Sequence, residues 1–144
     1  MPSKREQIIL SLYNTLKPLE NVGIKVCRNL DKPQKITSLV ILRDGTSENP
    51  EILLSPTAYI YEHNVTLEIL VQHPDAQRRD ASLDNLLVTI GGLINANRTL
   101  GGLAEWMEPS PPEFTEEAIE GAATIRMAVV PVMVRFMTSD PLGI

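Results

Sequence analysis

One cysteine, two histidines and no unbroken apolar run long enough to cross a bilayer narrow the chemistry of this chain before any pattern is read. Cys27 alone excludes an intrachain disulfide and any multi-cysteine zinc site, and it fits a reducing cytoplasm. His63 and His73 cannot by themselves complete a zinc site, which wants three or four convergent ligands. No segment approaches the ~20 apolar residues of a membrane span. After Lys4 and Arg5, the residues Glu6, Gln7, Ser11 and Asn14 interrupt the apolar stretch that a signal peptide needs, so no membrane partner is expected. Basic charge is also short: the formal net charge is −5, whereas binding of nucleic acid requires clustered Lys and Arg to neutralise phosphate. Missing too are a Gly-x-Ser-x-Gly elbow, a phosphate-binding glycine loop, Gly-x-Gly-x-x-Gly, His-Glu-x-x-His and a calcium loop. There is no internal repeat, heptad run or low-complexity tract, and the two Asn-x-Thr matches, at Asn64 and Asn97, are read as chance.

What is present is a chain of 144 residues with 43% hydrophobic and 22% charged content, enough for one domain over 1–144 that buries a core without metal or disulfide staples. Its longest pattern is an alternation in which Tyr59, Tyr61, His63, Val65, Leu67, Ile69 and Val71 share one face of an extended strand. The stretch from Tyr59 through Val71 would span roughly 44 Å. A compact domain of this length is only about 37 Å across, so the strand must bend around the core or project from it.

Ser3-Lys4-Arg5-Glu6 has capping-box spacing and predicts a helix carrying Ile8, Ile9, Leu12, Leu16 and Leu19, ended by Lys17-Pro18. Val22, Ile24 and Val26 alternate as a short strand. Asp31 to Thr37 reads as a connection, and Leu39 to Leu42 as a buried strand. Asp44-Gly45 gives a turn signal that Thr46 to Pro50 extends into an exposed loop, followed by Ile52-Leu53-Leu54 and a separator at Ser55-Pro56. His73-Pro74-Asp75 opens a second helix whose apolar face is Leu83, Leu86, Leu87, Ile90, Leu93 and Ile94, opposite Arg79, Asp80, Asp84 and Asn85. Gly91-Gly92 within it would serve close packing or a kink. Leu103 to Glu108 predicts a short strand, and Thr124 to Thr138 a long last one that Pro131 places at an edge or in a bulge. The order predicts an α+β fold: a mainly antiparallel sheet with helices packed on one face as a two-layer sandwich, with a long strand or hairpin extension.

Reaction chemistry is hard to assemble from these residues. Cys27, His63 and a carboxylate could be combined as nucleophile, base and orienting acid, but nothing in the local sequence supports the grouping. His63 reads as a hydrogen-bonded structural histidine, His73 as a strand-end residue and Cys27 as a small apolar side chain. No catalytic, cofactor-binding or metal-binding residue is expected. The sharpest charge feature is acidic: Glu105, Glu108, Glu113, Glu116, Glu117 and Glu120 fall in a stretch with no Lys or Arg between Arg98 and Arg126. It reads as a solvated loop or as a flexible contact segment for a basic partner, ordered on assembly.

Several ordered motifs resemble the tail terminator or tail completion proteins of long-tailed bacteriophages. They are Ser55-Pro56, Tyr59-Ile60-Tyr61-Glu62-His63, Leu67 to Gln72, Arg79-Asp80-Ala81, Leu83 to Leu87, Asn97 to Gly102, Trp106 to Pro109, Glu120-Gly121-Ala122 and Thr138 to Gly143. The likeness is nearest to versions in prophages and gene-transfer-agent-like particles, akin to minor tail protein U of lambdoid phages. It implies a virion structural protein, without cofactor, that forms a homohexameric ring, caps the tail tube, ends its polymerisation and meets the head-tail connector. Its partners would then be copies of itself, the tail tube protein and the connector protein, and its location the host cytoplasm during assembly and then the virion tail or neck. A ring subunit needs exposed edges or loops that meet a neighbour head to tail, and Asp44, Gly45, Glu48, Tyr59, Tyr61, Glu113, Glu116, Glu117 and Glu120 are the candidate interface residues. The alternatives are a small acyl-transferase-type enzyme acting through Cys27 or His63, and another head-tail connector or adaptor.

Overall fold

A computed structural model describes residues 2–30, 37–118 and 121–142. The first helix, α1 (Lys4–Leu16), starts where the Ser3 side chain accepts a hydrogen bond from the Glu6 amide at 3.2 Å. The reciprocal half of a capping box is replaced by a longer reach: both Glu6 carboxylate oxygens accept from Arg28, at 2.7 and 2.8 Å. Pro18 ends the α-helix as expected, and the chain continues as a 3-10 turn over Lys17–Val22. That turn holds Val22, so the predicted strand around Val22 starts later, as β1 (Lys25–Arg28).

The sheet is built from β1, β2 (Ser38–Ser47), β3 (Glu51–Leu54), β4 (Thr57–Gln72), β5 (Trp106–Pro109), β6 (Glu113–Glu117) and β7 (Ile125–Thr138). Its order is β1-β2-β4-β7-β5; β3 continues the line of β2 along β4, and β6 continues the line of β5 along β7. Only β1 and β2 run parallel, so the sheet is mainly antiparallel as predicted. The second helix, α2 (Ala76–Asn95), is capped by the Asp75 side chain, which accepts from the Gln77 amide. Both helices cover one face. Ile8, Leu12 and Leu16 of α1 and Leu83, Leu86, Ile90 and Ile94 of α2 form one buried cluster with Val65, Leu67 and Ile69 of β4 and Val130, Val132 and Val134 of β7. Each such side chain contributes roughly 1.5–3 kcal/mol relative to leaving it exposed.

The long strand meets the length problem by projecting. Residues 63, 65, 67, 69 and 71 of β4 are buried against the helices, whereas 57–62 are half-buried or exposed and pair with β3 on one side and the end of β7 on the other. Together β2, β3 and β4 make an extended hairpin whose tip is the turn at Ser55 and Pro56.

Several expectations need correction. Asp44-Gly45 is not a turn: β2 runs through it with a register shift between Arg43 and Thr46, a bulge that Gly45 permits at φ +68°. The exposed loop shrinks to 48–50. Pro131 lies neither on a free edge nor in a bulge, since the β4–β7 register passes Thr66↔Pro131 without a shift. In an antiparallel strand the N–H and C=O of one residue point the same way. The Pro131 carbonyl accepts from Ser110 N–H at 2.8 Å, so its missing N–H faces the break between β5 and β6, where no ladder bond is lost. Arg79 is buried, not on the polar face of α2. Gly91 and Gly92 neither kink the helix nor meet a close neighbour, because a Cβ added at either would find nothing within 4 Å. Trp106 begins β5 three residues later than predicted, after a 3-10 turn at Leu100–Gly102. The expected connection over 31–36 lies outside the described residues.

Candidate functional site

The predicted interface residues divide between the projecting hairpin and the far edge of the sheet. Asp44 is engaged within the subunit: its carboxylate accepts from Arg28 Nε and Nη2, both at 2.8 Å, making Arg28 the bridge between α1 and β2. Those hydrogen bonds hold the Glu6 and Asp44 carboxyls below their usual range. Gly45 packs on β4 so closely that an added Cβ would sit 1.7 Å from the Asn64 carbonyl oxygen. Asp44 and Gly45 therefore act inside the subunit, fixing the bulge.

His63 explains why the bulge is held. The strand places it on the helix-facing side, 3% exposed, with Nε2 at 2.5 Å from the Asp44 carbonyl oxygen and Nδ1 at 2.5 Å from Ser47 Oγ. A carbonyl oxygen can only accept, so Nε2 carries the proton and Nδ1 accepts from the Ser47 hydroxyl. Burial pushes the imidazole below its ordinary pKa, keeping it neutral. The structural reading of His63 holds in this geometry. Cys27 pairs with Ile41, which pairs with Glu68, and this row lies on the face of the sheet opposite to His63. The two side chains cannot act as a nucleophile and base together.

Glu48 lies with Asn49, Glu51, Ile60, Glu62 and Arg135 around an open cleft of about 190 Å³. Arg135 gathers Glu105 at 3.0 Å, Glu62 at 3.2 Å and Glu51 at 3.6 Å, fastening the base of the hairpin to β7. Tyr59 and Tyr61 are half-buried, and Tyr61 stacks on Phe136 with ring centroids 5.5 Å apart. They brace the projection from the helix side.

The acidic stretch is not a loop over Glu113–Glu117; it is β6, paired with β7. Three contacts tie it down. Glu116 accepts from buried Arg79 at 3.3 Å and lies 3.7 Å from Arg126, while the Arg126 guanidinium covers the Phe114 ring at 5.0 Å. Arg79 also donates to the His73 carbonyl at 2.8 Å, and its Nε has no hydrogen-bond partner among the described residues. Glu113 and Glu117 are exposed, and Glu120 lies outside the described residues. Between β6 and α2 a second cleft of about 210 Å³ is lined by Asp80, Leu83, Asp84, Leu87, Phe114 and Arg126.

Sequence reasoning missed two features of the surface. One is this cleft, which needed the pairing of β6 with β7 to exist. The other is the apolar tip of the hairpin, where Ile52, Leu53 and Leu54 are 53%, 42% and 79% exposed. Three consecutive apolar residues in a strand cannot all face one buried side, so that signal was available in the sequence. Among the described residues no group of three His, Cys, Asp or Glu is placed to hold a metal, and no helix is long and apolar enough to cross a membrane. No protein-family model and no curated protein matches this chain.

Proposed function

We propose that this chain is a structural assembly protein of a phage or phage-like tail. In this reading copies form a ring, six by the family resemblance, that caps the tail tube, ends its polymerisation and offers its other face to the head-side connector. The observation that carries it is the ordered set of motifs running from Ser55-Pro56 to the closing Thr138-Ser139-Asp140-Pro141. A rigid two-layer body with a projecting, apolar-tipped hairpin supports it, because such a subunit offers a neighbour a firm shape with little to reorganise on contact.

Capping follows from asymmetry. A ring whose one face matches the last ring of the tube, and whose other face does not repeat that surface, adds once and stops growth. The test is direct. Negative-stain images of tail tubes assembled with and without the protein should show rings at tube ends and a fixed length when it is present. Tubes of unchanged length with bare ends contradict the proposal.

A further inference from the structure

His63 is the first buried residue of β4 after the projecting hairpin, and its ring fastens β2 at that point. Nε2 bonds the Asp44 carbonyl and Nδ1 the Ser47 hydroxyl, so the imidazole reaches β2 on either side of Gly45 and staples the bulge shut. Past the staple the chain has little to hold it. From Gly45 through Leu54 every residue is exposed except half-buried Pro50, and the stretch pairs on one side only, to β4, with an ion pair of 3.6 Å from Glu51 to Arg135. A segment with so little buried apolar surface opens at small cost, whereas β4 lies pinned between β2 and β7.

Both bonds of the staple belong to a neutral ring. A second proton, on Nδ1, turns that acceptor into a donor, so the Ser47 hydroxyl must rotate its own proton away, and it brings positive charge into a buried site. The surrounding groups do not offset that charge. The Asp44 carboxylate is taken by Arg28 of β1, which Glu6 of α1 grips from its other side, and Arg5 of α1 adds a like charge. Opposite His63 on β7 stands apolar Val134, backed by Met107 of β5, and Tyr61 on the same face of β4 stacks on Phe136.

We infer that His63 is a proton-operated latch: the neutral ring holds the bulge and the strand beyond it against β4, and the charged ring lets Thr46 through Leu54 peel away while the body of the sheet stays folded. Burial holds the latched ring below its ordinary pKa, whereas in the opened segment it titrates near the usual value of about 6.5. Opening therefore takes up one proton. The ratio of open to latched molecules grows about tenfold for each pH unit below about 6.5, levels off at the lowered value of the latched form, and is constant above 6.5.

The test is hydrogen exchange resolved by NMR from pH 8 to pH 5, with each amide's rate divided by its intrinsic rate at the same pH. Amides of Glu51–Leu54 that bond to β4 should lose protection by about tenfold per pH unit below about 6.5, while Val65 to Val71 of β4 and Leu86 to Ile94 of α2 keep theirs. The His63 ring-proton signal should titrate over the same range. His73→Gln removes the other histidine of the chain and should leave these curves unchanged, whereas His63→Gln should make β3 protection independent of pH. If His63→Gln does not fold, the wild-type and His73→Gln curves decide. Level protection of β3 across the range overturns the latch, and so does a loss shared equally by α2, which would mark a global effect. A loss that persists in His63→Gln or vanishes in His73→Gln belongs to another group and overturns it as well.

Discussion

At Gly45 the backbone has no room for a methyl group. Its φ of +68° already disfavours any other residue, and the nearest atom to an added Cβ is a backbone oxygen of the neighbouring strand, which cannot swing aside. Gly45→Ala should cost at least about 1–3 kcal/mol in stability, measured by urea denaturation, because the bulge or the β2–β4 register must give way. The neighbouring His63 makes a separate prediction. Its folded pKa is lowered, so the unfolded chain binds the proton more readily. Its stabilising contribution is therefore intact above the unfolded value of about 6.5 and is lost as pH falls from there toward the lowered folded value. Glu6 and Asp44, whose folded pKa values are also depressed, add their own loss only at lower pH, in the carboxylate range. Urea midpoints taken from pH 8 to pH 5 should fall below neutrality in the wild type and stay flatter in His63→Gln. Parallel curves would remove His63 from the account.

Elements were legible from the sequence where one local pattern sufficed. Ser3 announces α1, the leucine and isoleucine stripe announces α2, and the alternation from Tyr59 onward announces β4. Reading failed where two structures share one signal or where the partner is distant. Asp-Gly serves a turn and a bulge alike, since both need a positive φ. Pro131 is tolerated in a strand flanked on both sides because Ser110 and its flanking prolines leave a break in the facing edge. Glutamates are poor strand formers, and β6 exists by pairing with β7, where Glu116 stands opposite Arg126, and through Arg79, which lies far off in sequence on α2. Glu116→Ala should therefore cost about 1–3 kcal/mol by leaving a buried guanidinium under-bonded. Hydrogen exchange over Glu113–Glu117 should speed up as well, whereas Glu113→Gln and Glu117→Gln should stay within about 0.5 kcal/mol of wild type. In α2, Gly91 and Gly92 perform no packing task within the subunit. Gly92→Ala should raise stability by roughly 0.5–1 kcal/mol in the same urea assay, and a loss would show that its backbone is approached more closely than the open space around it indicates.

For the whole molecule, the fold class, the two-layer arrangement and the hairpin extension follow from the order of elements, while the assembling surfaces do not. An interface is written in residues that the monomer leaves exposed, and a single sequence does not distinguish those from ordinary surface. Of the residues that were expected to meet a neighbour, Asp44, Gly45, Tyr61 and Glu116 each also make a contact within the subunit. The proposed role depends on shape: a stiff subunit that packs against copies of itself. Sedimentation velocity of the purified protein over a wide concentration range tests this most directly. The account predicts a single large species of fixed size, a closed ring. A wild-type protein that sediments at its monomer mass of 15.9 kDa at every concentration, with tail tubes present or absent, would contradict it.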